Sequence, residues 1–148
     1  MTFRPWTYED VYAVAALEKQ CFSDPWTFRM LADSFFSENT RTLAAEEGGE
    51  LAGYAILSVL FEDAELADIA VSPKFRRRGL ADEMLARLEG EALAAGAERV
   101  LLEVRVSNAP AMRLYLKRGY VGCGVRPRYY ADGEDALIMQ KRLAGANS

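Results

Sequence analysis

The 148-residue chain contains no histidine. That absence removes serine-histidine-aspartate and cysteine-histidine nucleophiles, imidazole general bases and histidine-ligated metals together, so proton transfer falls to Asp, Glu, Tyr, Lys or Cys. Cysteine is scarce as well: Cys21 and Cys123 are too few for a four-ligand zinc site, and neither belongs to a Cys-x-x-Cys pair. No run approaches the roughly 18 consecutive apolar residues of a membrane-spanning helix, and Met1-Thr2-Phe3-Arg4-Pro5-Trp6 lacks the apolar centre of a secretion signal. A cytoplasmic protein with no membrane partner is expected. Positive charge is not in excess either. The net charge of -4 argues against a nucleic-acid binder, which needs Lys and Arg spread over one face. With no repeat, low-complexity tract or linker, one domain over 1–148 is expected.

What is present has the make-up of an ordinary globular protein, 51% hydrophobic and 27% charged, with strand and helix patterns alternating along it. Thr2 to Pro5 reads as a short strand. Thr7-Tyr8-Glu9-Asp10 reads as a capping box opening a helix whose apolar positions are Val11, Val14, Ala15, Leu17 and Phe22. Ser23-Asp24-Pro25 ends it, and Trp26-Thr27 leads into a second helix with Met30, Leu31, Ser34 and Phe35 along one side. The connection from Cys21 to Thr27 carries two large aromatics, Phe22 and Trp26, which serve either core packing or a substrate-facing wall. Arg41 to Glu47 and Glu50 to Phe61 read as a hairpin about Gly48-Gly49. Leu80, Met84, Leu88 and Ala92, with Ala81 and Leu85 beside them, form the buried stripe of a helix ended by Gly96. Val100, Leu102, Val104 and Val106 make the apolar face of a strand, which turns Leu101, Glu103 and Arg105 the other way. Asn108 caps a further helix that finishes at Arg118-Gly119. Tyr120 to Arg128 and Glu134 to Arg142 read as a last hairpin joined around Asp132-Gly133, and residues 143–148 as a frayed tail.

The pattern centres on the apolar strand Ala67-Asp68-Ile69-Ala70-Val71, followed by Ser72-Pro73-Lys74-Phe75 and by Arg76-Arg77-Arg78-Gly79-Leu80-Ala81 opening a helix. A strand feeding a helix through such a turn points several N–H groups, and the positive end of the helix dipole, at one spot that wants an anion. Gly79, without a Cβ, lets the main chain come close to phosphate oxygens. The P-loop and the dinucleotide fingerprint are both absent. Glu103 stands out as a carboxylate on an otherwise apolar strand, which implies either an ion pair with an arginine or a chemical role. Asn108 and Tyr115, seven apart, share a helix face with only about 20° of drift, so one extended ligand can meet both. Tyr115 is equally readable as a core aromatic beside Ala111 and Leu114.

Arg-x-x-Gly-x-Ala after Val-x-Pro resembles the acetyl-coenzyme A signature of the GNAT superfamily of acetyltransferases. Leu102-Glu103-Val104-Arg105-Val106-Ser107-Asn108, Leu114-Tyr115, Gly119-Tyr120, Arg128-Tyr129-Tyr130 and Glu134-Asp135-Ala136-Leu137-Ile138-Met139 are similar to its protein N-terminal acetyltransferases, in particular the ribosomal-protein-alanine branch. The likeness runs from Cys21 to Met139. It implies an α/β fold with a central mixed, mostly antiparallel sheet flanked by about four helices. Acetyl-CoA is implied as co-substrate, with no metal, and so is direct transfer to the α-amino group of a protein, that of the N-terminal alanine of a small-subunit ribosomal protein. The resemblance makes Glu103 the general base and Tyr115 the general acid. It places coenzyme A on Ile69, Ala70, Val71, Arg76, Arg77, Arg78, Gly79, Leu80, Ala81, Asp82 and Asn108, and the peptide on Tyr129 and Tyr130; Phe22 and Trp26 join the substrate candidates on their aromatic character alone. Two residues depart from the family pattern: Ala81 stands where glycine is usual, and Asp82 where a basic or neutral residue is common. An acid beside a pyrophosphate is unfavourable unless it points away. Two alternatives stand: an acetyltransferase for a small amine, which has no use for the Tyr129-Tyr130 pair, and a noncatalytic coenzyme A-binding module, against which Glu103 and Tyr115 speak.

Overall fold

The computed structural model describes residues 1–143. In chain order the elements are β1 (Thr2–Arg4), α1 (Asp10–Cys21), α2 (Phe28–Phe36), β2 (Thr40–Glu47), β3 (Glu50–Leu60), β4 (Asp63–Val71), α3 (Leu80–Ala94), β5 (Arg99–Arg105), α4 (Ala109–Lys117), β6 (Val121–Arg126) and β7 (Ala136–Arg142). The strands form one sheet in the order β1-β2-β3-β4-β5-β7-β6, antiparallel at every pairing except β4 with β5. This is the mixed, mostly antiparallel α/β architecture expected. Residues from Ala144 on, the expected tail, lie outside the described residues. Among the described residues no helix is long and apolar enough to cross a membrane.

Helices cover both faces of the sheet. On one, the α3 stripe of Leu80, Met84, Leu85, Leu88 and Ala92 packs with Leu57, Leu66, Val100, Leu102, Val104 and Met139, and Tyr115 of α4 joins that core. On the other, Val11, Val14 and Leu17 of α1 and Leu31 of α2 pack with Trp6, Ala44, Tyr54, Ile56 and Ala70. β3 is covered on both sides and is buried without a break from Ala52 to Leu57, which is why its sequence reads as a nearly continuous apolar run. Gly53 is required there, since a Cβ on it would stand 2.9 Å from the Ala70 carbonyl oxygen.

The pairing of β4 changes along its length. β4 pairs with β3 as far as Val71, but its parallel pairing with β5 stops at Leu66 opposite Leu102. β5 meanwhile continues to Arg105 against β7. The cause is a bulge: Ile56 opposes Asp68 while Leu57 opposes Leu66, so Ala67 is an extra residue, and a bulge bends its strand and increases the twist. Beyond Leu66 the facing edges of β4 and β5 part like a fork. The main-chain groups of β4 that face β5 are left there without a strand partner.

Several expected boundaries shift. Asp10 does reach back to the Thr7 N–H at 2.6 Å, but Glu9 is the N-cap of α1 and the Thr7 hydroxyl donates to Asp10 instead of capping main chain. α1 stops at Cys21 because Phe22 is already extended, so Phe22 leaves the helical stripe. α2 rests on α1 and β2 along one narrow edge, so Leu31 alone of the expected stripe is fully buried and Met30 is exposed. Val106 lies past the end of β5, half exposed, and leaves the apolar face. The last two strands are shorter than expected, because residues 127–135 between them form a loop held by its own carboxylates.

α3 carries one charged residue on its buried stripe. Glu89 accepts hydrogen bonds from Arg118 Nη2 at 2.8 Å, Lys141 Nζ at 2.8 Å and the Tyr120 hydroxyl at 2.9 Å. Burial pushes its carboxyl pKa up, but these three donors outweigh burial and hold it below the usual carboxylate range. The network ties the end of α4 and strand β7 to α3. Glu89→Ala, which leaves two partly buried cations short of a partner, is expected to cost about 3 kcal/mol in denaturant unfolding at neutral pH. A carboxyl whose pKa is depressed on folding stabilises above its unfolded pKa and loses that contribution as pH falls through the folded value, so the stabilities of Glu89→Ala and the parent chain should converge in acid.

Candidate active site

After Val71 the chain passes through a single 3-10 turn, Pro73–Phe75, and then through Arg76 to Gly79 into α3. Arg77 at φ 65° and Gly79 at φ 74° are both left-handed, and turns of mixed hand gather successive N–H groups on one side. Gly79 is the N-cap and has no side chain to cap with, so the Leu80, Ala81 and Asp82 N–H groups find no acceptor among the described residues. A Cβ on Gly79 would meet no atom within 4 Å. Glycine is therefore demanded by its φ angle, and the space before the turn is open to a ligand.

The arginines divide the work of the turn. Arg76 folds back, with Nε 3.2 Å from the Val71 carbonyl oxygen and Nη2 3.6 Å from Cys21 Sγ. Arg78 pairs with Glu47 at 3.2 Å and stacks on Phe75. Arg77 makes no ion pair among the described residues. Asp82 gives its carboxylate to Arg118 Nη1 at 3.0 Å, so the acid is turned toward the end of α4 and contributes only main chain to the turn. Asn108 caps α4 by accepting from the Ala111 N–H at 3.2 Å, which leaves its amide NH2 free to donate.

At the fork, Leu102 and Val104 face the α3 core, so Glu103 between them faces the α1 and α2 side. Glu103 Oε1 lies 3.4 Å from Arg126 Nε, and its Oε2 is buried with no hydrogen-bond partner among the described residues. The arginine partner that the sequence left open does exist, yet one carboxylate oxygen stays uncommitted. Tyr115 reaches the fork from the opposite face. Its ring is buried against Tyr120, centroids 5.7 Å apart, and its hydroxyl meets no partner among the described residues. Burial first, and then the nearby charges of Asp68 and Tyr130, push its pKa up to about 12, so it is a proton donor at neutral pH.

Tyr129 and Tyr130 stand on the 127–135 loop. Glu134 accepts from the Ser107 N–H and from Arg105 Nη1, each at 3.0 Å, Arg105 also reaches Asp132 at 2.8 Å, and Asp135 accepts from the Arg128 N–H at 2.8 Å. The Arg105 guanidinium lies 4.0 Å over the Tyr130 ring, and Tyr130 meets Tyr129 edge-on at 5.1 Å. Tyr129 remains half exposed and lies against Glu103; burial, then the Glu103 charge and hydrogen bond, raise its pKa. Glu103, Tyr129 and Tyr130 are thus brought together, with Tyr115 beside Tyr130. Trp26 and Phe22 sit at the end of α1, Trp26 partly buried and Phe22 exposed, and no ring contact joins them to the tyrosine pair among the described residues.

Three residues at the fork escape the sequence reading: Arg126, Asp68 and Glu18. Asp68 carries the same signal that singles out Glu103, an acid on an apolar strand, and Glu18 lies on the Val11, Val14 stripe of α1 where an acid is out of place.

A sequence profile of the Acetyltransferase (GNAT) family matches residues 11–120. The chain belongs to the GNAT acetyltransferase family. A protein of Bacillus subtilis named putative [ribosomal protein bS18]-alanine N-acetyltransferase is 39% identical over 137 residues, 88% of each chain. The [ribosomal protein bS18]-alanine N-acetyltransferase of Escherichia coli is 35% identical over 133 residues, 88% of this chain and 89% of that one. The crystal structure of the ribosomal-protein-S18-alanine N-acetyltransferase from Escherichia coli superposes with a TM-score of 0.91 at 32% identity, over 99% of this chain and 96% of that one. GNAT enzymes use acetyl-CoA, and the uncapped α3 terminus, the open space at Gly79 and the unpaired edge of β4 fit an extended ligand that ends in phosphates. Gly79→Asp introduces both backbone strain and an anion into the cradle. Steady-state kinetics should show the KM for acetyl-CoA rising about tenfold or more, with a much smaller change in kcat.

Proposed function

We propose that this GNAT acetyltransferase acetylates the α-amino group of proteins, with the N-terminal alanine of a small-subunit ribosomal protein as its substrate. The observation that carries this reading is the uncommitted oxygen of Glu103 at the mouth of the fork, roofed by the pinned Tyr129-Tyr130 pair. Tyrosine walls of this kind suit a peptide main chain better than a compact polyamine. The names and structural likeness of the bacterial relatives point the same way.

Acetyl-CoA supplies an activated thioester, and the chain's own groups do the rest. The Val71 N–H, on the edge of β4 turned away from β3, hydrogen-bonds the thioester oxygen as negative charge develops on it. Glu103 accepts the proton of the attacking amine. An α-amino group with pKa near 7.7 to 8.0 costs about 1 kcal/mol to deprotonate at pH 7, against about 4.6 for lysine at 10.4, so one carboxylate suffices for an N-terminus. Tyr115 faces the departing sulfur. Complete transfer from a phenol at about 12 to a thiolate with an ordinary pKa near 8.5 is uphill by about 5 kcal/mol, so Tyr115 acts mainly by hydrogen-bonding the developing thiolate.

Glu103→Gln is expected to lower kcat by about 10² or more, the range of general-base catalysis, with the KM for acetyl-CoA little changed. Tyr115→Phe should lower kcat about tenfold. Thiol release with a peptide starting in alanine, compared with spermine, tests the substrate class: release with spermine and none with the peptide would replace this reading by small-amine acetylation.

A further inference from the structure

We propose that Arg126 is the positioning residue of the amine site: its guanidinium holds Glu103 Oε1 from across β7 and leaves Oε2 as the oxygen that takes the amine proton. The inference rests on the acetyl-transfer reading above and adds to it the group that orients the base.

The sheet register brings Arg126 within reach. Glu103, Ile138 and Gly124 oppose one another across β5, β7 and β6, and Arg105, Ala136 and Arg126 form the next such row. Opposed residues on neighbouring strands share a face, and so do residues two apart on one strand, so both rows point to the α1 and α2 side with Glu103. Two small residues clear the diagonal between the charges. Ala136 stands in the row of Arg126, and Gly124, in the row of Glu103, presents no side chain at all. Arg126 spans that diagonal, with its Nε 3.4 Å from Glu103 Oε1.

The pairing is selective. Arg105 is two residues from Glu103 on the same strand and face, but its guanidinium is spent on Asp132 and Glu134 and lies over the Tyr130 ring. Arg126 is the cation within ion-pair range of Glu103 among the described residues. It also lies 5.8 Å from the centre of the Tyr129 ring, and Tyr129 lies against the same carboxylate. The Glu103 side chain is 18% exposed and that of Arg126 55%, so the acid is sheltered and its compensating charge reaches in from solvent. A sheltered carboxylate is costly without such a cation.

Direction decides what this ion pair does. Glu103 has β7 on one side and, past Leu102, no strand partner on the other. Arg126 approaches from the β7 side. The last torsion of a glutamate is broad, so a carboxylate held nowhere exchanges its two oxygens. A cation on one oxygen stops the exchange and keeps the other turned away from β7. Oε2 is that other oxygen, and it has no hydrogen-bond partner among the described residues. In the transfer step the amine nitrogen bonds to the thioester carbon, its proton passes to Oε2, and the electrons of the broken C–S bond leave with sulfur. Arg126 touches none of these atoms and acts through Glu103.

Steady-state kinetics with a peptide beginning in alanine test the idea. Arg126→Met keeps a long side chain beside Tyr129 and removes the charge, and it should lower kcat about tenfold while leaving the KM for acetyl-CoA within about twofold of the parent. Arg126→Lys, which restores a cation, should recover kcat to within about threefold. In a Glu103→Gln background, Arg126→Met should lower kcat by no more than about twofold further, because the group it acts through is gone. An unchanged kcat in Arg126→Met overturns the inference, as does Arg126→Lys no better than Arg126→Met, or the same loss persisting in the Glu103→Gln background. A loss seen in Glu103→Gln and not in Arg126→Met leaves the base in place and removes only the role of Arg126. Glu103→Gln with the parent kcat overturns the assignment of the base itself, and this inference falls with it.

Discussion

The structure depends on the parting of β4 from β5. Two parallel strands that stayed paired would present a closed sheet, with the α3 and α4 layer on one side and the α1 and α2 layer on the other, and no group from one layer could address an atom reached from the other. The single extra residue at Ala67 changes this. Past it, Tyr115 from the α3 and α4 side and Glu103 from the α1 and α2 side border the same opening. The proposed reaction would use both sides: a long phosphate-bearing molecule entering along the α3 face and an amine along the other, meeting beside main chain that has no strand partner.

Holding a fork open is costly unless its walls are fixed, and here each wall is fixed by a carboxylate with several donors. Glu89, with Arg118, Lys141 and Tyr120, sets the spacing of α3 and α4. Glu134, with Arg105 and the Ser107 N–H, seats the tyrosine loop over the start of α4. Glu18, with Tyr54 and the Trp26 N–H, fixes the α1 end and the connection after it. Apolar contacts alone would let these elements slide, since hydrophobic burial is non-directional, whereas a carboxylate with two or three donors accepts one arrangement. The Arg118 bridge from Glu89 to Asp82 shows the economy of the scheme. It turns an acid away from the uncapped N-terminus of α3 and ties α4 to α3 with one guanidinium.

How much of this could be read from the sequence follows the physics of each signal. Strand alternation in Val100 to Val104 and the four-residue spacing in Leu80 to Ala92 are local patterns, and they located β5, α3 and the direction of Glu103 correctly. The turn from Val71 to Gly79 was legible because strand, arginines, glycine and helix follow one another directly. Asn108 was legible as a cap for the same reason. The loop of residues 127–135 was misread as a tight hairpin because Glu134 and Asp135 spend their side chains on Arg105, Ser107 and Arg128, partners that no local pattern announces. The bulge at Ala67 was illegible altogether. It exists only as a mismatch between β3 and β4, and nothing in either strand alone encodes it.

Asp68 and Glu18 show why an acid on an apolar element is the signal most worth following. An acid placed where its neighbours are buried must find a cation, a set of donors or a proton. Glu89 found cations, Glu18 found donors, and Asp68 keeps a proton. These outcomes have different consequences. The first two satisfy the acid within the fold and rigidify it. The third leaves Asp68 neutral against Glu18. Glu103 follows none of these routes completely: its Oε2 has no hydrogen-bond partner among the described residues, and a buried polar atom left so has a use that the chain's own groups do not supply.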